Sequence, residues 1–201
     1  MRTALWLITF MLFFVWSAYQ PADRLTWYLE VLPAVLVLGV LAATRHRMPL
    51  TPLVYQLLLV HCIILMIGGH YTYAGVPLFD YLRDLTGGSR NNYDKLGHFA
   101  QGFVPALVAR ELIIRWQLIN GRGWQVFFIL CFCLAVSAFY ELLEWWVALI
   151  SATAAESFLG TQGYVWDTQS DMAWALFGAM MALTLLSSQQ DAQLKRLGFS
   201  D

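Results

Sequence analysis

Three pairs of ionisable residues stand at helical spacing in this sequence. They are Asp94 with His98, Glu141 with Glu144, and Asp167 with Asp171. Residues three or four apart share one face of an α-helix, so both members of a pair can point the same way. Carboxylates and imidazoles are ligands of divalent cations and common general acids and bases. These pairs are therefore candidates for a metal site or for acid–base chemistry.

A metal-assisted reaction assigns each of these residues a role. The candidate ligands of a divalent cation are His98, Glu141, Asp171 and His70, with Glu144 as a further donor. A cation of this kind activates water by lowering its pKa. The candidate general acids and bases are Asp94, Asp167 and Glu144. Candidate groups for an anionic substrate are Arg90, Lys95 and Gln101, beside the turn at Gly87 and Gly88.

Two other interpretations need no metal. The carboxylates could pair with Lys95, Arg90 or Arg83 and form a polar pocket. Alternatively, the aspartates could cap helices at the headgroup layer, which leaves only the glutamates buried. The sequence leaves all three interpretations open.

Composition indicates that membrane helices carry these residues. Of the 201 residues, 59% are hydrophobic and 12% are charged, against about 25% charged in soluble domains. Six apolar stretches of roughly membrane-spanning length predict an all-α bundle of six transmembrane helices in a single domain, residues 1–201. The stretches are 4–19, 27–43, 53–74, 97–119, 124–150 and 172–187. A net charge of −1 excludes the basic footprint of a nucleic-acid-binding protein.

The cations predict the orientation of the bundle, because Lys and Arg flanking the spans favour the cytoplasmic side. Placing both termini in the cytoplasm puts eight cations on or near that side and four on the other. All three pairs, and His70 at the end of the third span, then lie in one layer near the periplasmic face. At the cytoplasmic end, Glu111 and Arg115 stand at ion-pair spacing, and mutual pairing accounts for their presence.

Two outward-facing loops are long enough to cover a site. The first begins with Phe79, Leu82 and Leu85 at helical spacing, which predicts a short helix lying on the membrane surface. The second covers residues 151–168 and is rich in small residues.

Three segments of the chain resemble a bacterial family of uncharacterised inner-membrane proteins of the YjdF type. They are Tyr93-Asp94-Lys95-Leu96-Gly97-His98-Phe99, Tyr140-Glu141-Leu142-Leu143-Glu144-Trp145, and the run from Leu159 to Met172. The Asp-Lys-x-x-His piece is also similar, over a shorter stretch, to VanZ-like membrane proteins linked to glycopeptide resistance. The resemblance implies a multi-pass protein of the bacterial inner membrane, and it supplies neither a reaction nor catalytic residues.

Two classes of function are compatible with this reading. One is metal-assisted hydrolysis or group transfer on a lipid-linked or anionic envelope substrate, with a divalent metal ion as the cofactor. The other is a non-enzymatic role as a membrane binder, a transporter or an envelope assembly or resistance factor. The lipid bilayer is the expected partner in both classes, and the sequence predicts no oligomeric state.

Overall fold

The chain folds into α-helices, as its composition predicts. A computed structural model describes residues 2–150 and 164–199, and all regular secondary structure in those ranges is helical. The helices are α1 (Arg2–Ala18), α2 (Arg24–Thr44), α3 (Pro52–Tyr71), α4 (Pro77–Thr86), α5 (Tyr93–Trp116), α6 (Arg122–Ile150) and α7 (Asp167–Arg196). The covering role predicted for loop 151–168 falls mainly on residues 151–163, which lie outside the described residues.

Four of these helices are long and apolar enough to cross a membrane: α2, α3, α6 and α7. Helix α1 is apolar but has only 17 residues, and α5 has 24 residues but is more polar. Each of the six predicted spans thus corresponds to one helix, and four of these six helices are both long enough and apolar enough to cross a membrane. Helix α7 runs well past the predicted 172–187 at both ends, because polar residues such as Gln190 pair with α5 there.

Helices α5 and α7 form the closest pair in the bundle. A Cβ atom added to Gly102 would overlap the backbone of Ala175, and one added to Gly178 would overlap the backbone of Phe99. The two backbones therefore nearly touch at these glycines, the close approach that small residues permit between membrane helices. The contact holds the first turns of α5 and α7 side by side.

An apolar layer fills the middle of the bundle between α3, α5, α6 and α7. Its buried members include Leu58, Val104, Leu107, Ile129, Cys133, Ala179 and Ala182. Polar groups are concentrated at the two ends of this layer. One group surrounds His98 near the start of α5, and the other surrounds Glu111 near its end.

Candidate metal centre

His98 lies at the centre of a buried group of carboxylates. Its side chain is 7% exposed, and its Nε2 atom lies 3.4 Å from Asp94 Oδ1, 3.6 Å from Glu141 Oε1 and 4.0 Å from Asp171 Oδ2. The three partners come from α5, α6 and α7, so three helices position this arrangement. With Glu144, whose carboxylate lies within 4.8 Å of ligand atoms of His98 and Glu141, we call these five residues the His98 cluster.

The other ring nitrogen of His98, Nδ1, contacts Gln101, and this contact determines which edge of the imidazole ring faces the carboxylates. His98 Nδ1 lies 3.1 Å from Gln101 Oε1, one helical turn further along α5. An amide oxygen only accepts hydrogen bonds, so Nδ1 donates its proton in this contact. Nε2 is then left to face the carboxylates with a lone pair or a second proton. Metal-ligating histidines are commonly oriented by such a hydrogen bond on the far nitrogen.

Two carboxylate oxygens of the cluster have no hydrogen-bond donor among the described residues. They are Glu141 Oε1 and Asp171 Oδ1, in side chains that are only 8% and 5% exposed. A buried carboxylate oxygen without a donor is costly, because it has lost its hydration and gained nothing in return. Both oxygens belong to groups that could hold a cation: Asp94 with His98 and Asp171, and His98 with Glu141 and Glu144.

The spacing of the ligand atoms suits a small divalent cation. Ligands placed about 2.1 Å from an ion lie roughly 3.0–3.4 Å apart in octahedral or tetrahedral geometry. The distances from His98 Nε2 to the three carboxylates are 3.4–4.0 Å, slightly longer than this ligand-to-ligand spacing. In two sets that each include His98, the ligand atoms lie within 4.8 Å of one another: Asp94 with His98 and Asp171, and His98 with Glu141 and Glu144. The residue types and spacing of either set are compatible with a cation.

Basic and aromatic residues form the rim of the cluster. Arg90 Nη1 donates to Asp167 Oδ1 at 2.7 Å, and Arg90 Nη2 lies 3.5 Å from Asp94 Oδ2. Arg90 and Lys95 both lie over the ring of Tyr164, at 5.4 and 5.5 Å from its centroid. Asp167 is therefore paired to arginine at the rim, whereas Asp171, one turn further along α7, reaches His98.

His70 does not lie with the other candidate ligands. Its Nδ1 atom is 3.1 Å from the carbonyl oxygen of Ser17, and its ring lies 4.5 Å from the ring of Trp16. The last turn of α3 thus presents His70 to α1, and neither candidate ligand group includes it. The sequence predicts that His70 lies at the end of the third span, and it lies in the last turn of α3. The sequence does not predict the direction of its side chain, because the facing of α3 depends on packing.

Sequence reasoning missed a further buried carboxylate beside the cluster. Glu30, on α2, is 7% exposed and accepts a hydrogen bond of 3.0 Å from the hydroxyl of Tyr140. It interacts electrostatically with Asp94 and His98, and its side chain also interacts with Tyr73. Glu30 has no partner at helical spacing, but an acidic residue inside an apolar stretch is a signal that could have identified it.

The second polar group, at the other end of α5, is fully paired. Glu111 Oε1 accepts from the Thr51 backbone at 2.8 Å and from Arg115 at 3.1 Å, as the sequence predicts for the arginine. Its Oε2 accepts from the Thr51 hydroxyl at 2.6 Å and from Gln190 at 3.4 Å. Arg110 donates to Gln190 and Asp191. We call these six residues the Glu111 network: Thr51, Arg110, Glu111, Arg115, Gln190 and Asp191.

Comparison with known proteins places this architecture among membrane proteins. A family described as "Predicted membrane protein (DUF2238)" matches residues 2–192. The chain is 50% identical to "Inner membrane protein YjdF" of Escherichia coli strain K12 over 191 residues, which is 95% of this chain and 91% of that protein. No solved structure matches the chain.

Proposed function

Because the chain belongs to the DUF2238 family of predicted membrane proteins, we propose a function for it as a metal-dependent protein of the inner membrane. In this proposal the His98 cluster binds one divalent cation. The bound cation then serves hydrolysis or group transfer on a lipid-linked or anionic envelope substrate. The observation that carries the proposal is that two buried carboxylates beside the same histidine each have an oxygen without a donor among the described residues, Glu141 Oε1 and Asp171 Oδ1.

The proposed ligands are His98 Nε2, Glu141, Asp171 and Asp94. One imidazole with several carboxylates suits zinc, manganese or iron better than calcium, which prefers an all-oxygen shell. Gln101 orients the imidazole through Nδ1, so we assign it to the support of the metal and no longer to substrate binding. His70 is left out of the ligand set because it contacts α1.

The same residues supply the remaining parts of a hydrolytic site. A cation held there would supply Lewis acidity to a bound water, and Glu144, which is not among the proposed ligands, would accept the proton of that water. Asp167 holds Arg90 at the rim. Among the described residues Lys95 has no carboxylate within 4.0 Å, and its ammonium group lies over the ring of Tyr164, so we assign it with Arg90 to the anionic part of the substrate.

We propose that six helices cross the membrane and that both termini are cytoplasmic. Helix α5 is the polar member of the six, and its charged groups at the inner end are paired within the Glu111 network. Helix α1 has 17 residues, at the lower limit for a crossing of about 17–25 residues. The distribution of Lys and Arg then places the His98 cluster at the periplasmic face.

An apolar layer argues against a transport path through the bundle. Between the His98 cluster and the Glu111 network the described core consists of residues such as Val104, Leu107 and Ile129. A relay for ions or protons would need polar groups at these depths. The arrangement therefore favours a site served from one side of the membrane.

Metal analysis of the purified protein tests the cation site. After incubation with zinc or manganese and removal of excess metal, wild-type protein is expected to retain about one ion per chain, and Glu141→Gln to retain little. Asp84→Asn is the matched control, because it removes the same charge from an exposed position on α4. Metal-free wild-type protein, or an unchanged ion content in Glu141→Gln, would contradict the proposal.

A second experiment separates an enzyme from a binder. Wild-type protein and Glu141→Gln are reconstituted into vesicles of bacterial lipid extract, and the lipids are compared by mass spectrometry. We expect a metal-dependent product that appears only with the wild type. Metal binding without any product would assign the protein to the non-enzymatic class.

A further inference from the structure

The short helix α4 carries an exposed apolar face. Its residues Leu78, Tyr81, Leu82 and Leu85 follow the spacing i, i+3, i+4, i+7, so they form one stripe along the helix. Leu78 and Leu85 are 64% and 68% exposed, and no residue of α4 is buried. Such a stripe on a helix of ten residues needs a covering surface, since apolar area in water is unfavourable.

The opposite face of α4 is fixed to the protein. The ring of Phe79 packs edge-on against Tyr93 with centroids 5.1 Å apart. Asp80 Oδ1 accepts hydrogen bonds from Asn91 at 3.1 Å and from Arg83 at 2.8 Å. Helix α4 therefore cannot turn its apolar stripe inward without breaking these contacts. The stripe points away from the bundle because of the fold.

The chain on either side of α4 keeps it near the membrane surface. Five residues separate α4 from α3, a helix long and apolar enough to span a bilayer, and six residues separate it from α5. Ten helical residues are about 15 Å long, which is half of the roughly 30 Å needed for a crossing. Helix α4 is thus too short to cross and too closely tethered to leave the interface.

We infer that α4 binds the bilayer surface at the His98-cluster end of the bundle, with its apolar stripe among the lipid acyl chains. The charged residues of α4 then stay in the headgroup layer, where the long Arg83 side chain can reach water or phosphate. Lipid is the occupant because the stripe begins beside a membrane span and continues the apolar exterior of the bundle. The inference is independent of the cation site.

The position of α4 at the bilayer surface also determines the depth of the rim of the His98 cluster. Asn91 donates to the Val76 carbonyl, at the start of α4, as well as to Asp80. Asn91 Oδ1 also accepts from the backbone of Tyr93, the first residue of α5. The turn that carries Arg90 is therefore tied to α4, and the rim of the His98 cluster lies level with lipid headgroups.

Depth-dependent quenching tests the inference. In a variant with Cys62, Cys131 and Cys133 changed to alanine, a single cysteine is introduced by Leu85→Cys and, separately, by Asp84→Cys as the adjacent control. Each is labelled with an environment-sensitive fluorophore and reconstituted into phosphatidylethanolamine–phosphatidylglycerol vesicles. Only the apolar face of such a helix enters the acyl-chain region. Brominated acyl chains are therefore expected to quench the Leu85 label at least about twofold more than the Asp84 label. Iodide in the water is expected to quench the Asp84 label more than the Leu85 label.

Two results would overturn the inference. Equal quenching of both labels by iodide would show that the stripe faces water. A Leu85 label shielded from both bromine and iodide would show that protein covers it, and dilution into excess lipid would then distinguish a second copy from the same chain.

Discussion

The His98 cluster and the Glu111 network are both buried groups of charged residues on the α5–α7 pair, yet they differ in how their oxygens are satisfied. Both oxygens of Glu111 accept hydrogen bonds, from Thr51, Arg115 and Gln190. In the His98 cluster, Glu141 Oε1 and Asp171 Oδ1 have no donor among the described residues. Burial of charge therefore does not by itself distinguish the two groups, whereas the donor-free oxygens beside His98 do.

The two groups also differ in the balance between basic residues and carboxylates. The Glu111 network has two cations, Arg110 and Arg115, and two carboxylates, Glu111 and Asp191. The His98 cluster has four carboxylates and one imidazole, with Arg90 at its rim. The first group is neutral within itself. The second has more carboxylates than basic groups, an imbalance that a divalent cation would offset.

The largest expected difference comes from removing one charge in each group. Glu111→Gln should destabilise the protein by about 3–5 kcal/mol, because it leaves Arg115 and the Thr51 donors without a buried anion. Glu141→Gln should change stability by no more than about 1 kcal/mol in the absence of metal, since its Oε1 has no donor to lose. Denaturant titration of both variants in detergent measures the contrast. Equal losses would mean that the two groups do not differ as we describe.

Added metal should sharpen the contrast. At a concentration about 100 times the dissociation constant, a cation that binds only the folded state stabilises it by about 2.7 kcal/mol. We expect this gain in the wild type and its disappearance in Glu141→Gln, measured as a shift in thermal unfolding. An equal shift in both proteins would place the bound metal outside the His98 cluster.

The close packing of α5 and α7 should matter to both groups, because each bridges these helices. Gly102→Ala or Gly178→Ala inserts a methyl group into the backbone of the facing helix and should cost about 1–3 kcal/mol. It should also weaken metal binding by separating His98 from Asp171. Gly39→Ala is the control, because nothing lies within 4 Å of its added Cβ. That variant should be unchanged or up to about 1 kcal/mol more stable.

The smallest effect is expected beside the cluster, at the hydrogen bond from Tyr140 to Glu30. Tyr140→Phe should cost about 0.5–1.5 kcal/mol, the usual value of one hydrogen bond. The metal content should be unchanged, because Glu30 belongs to neither candidate ligand group. Loss of metal in Tyr140→Phe would show that Glu30 or Tyr140 takes part in the site.

Spacing along single helices anticipated much of the arrangement around His98. The i, i+4 relation places Asp94 beside His98, and the structure has them 3.4 Å apart. The same rule anticipated the pairing of Glu111 with Arg115. The members of the pair Asp167 and Asp171 have different partners: Asp167 accepts from Arg90 at the rim, and Asp171 lies 4.0 Å from His98. The spacing rule gave no hint of Glu30, which reaches the cluster alone from α2.

The sequence by itself determined the helical class, the membrane environment, the short helix α4 and the positions of ionisable residues along each helix. These follow from composition and from the fixed periodicity of the α-helix. Tertiary structure decided which helix faces which. It turned His70 toward α1 and brought Glu141 and Asp171 to His98. The physical reason is that rotation of one helix against another depends on side-chain packing, such as the contact at Gly102 and Gly178, which no single helix encodes.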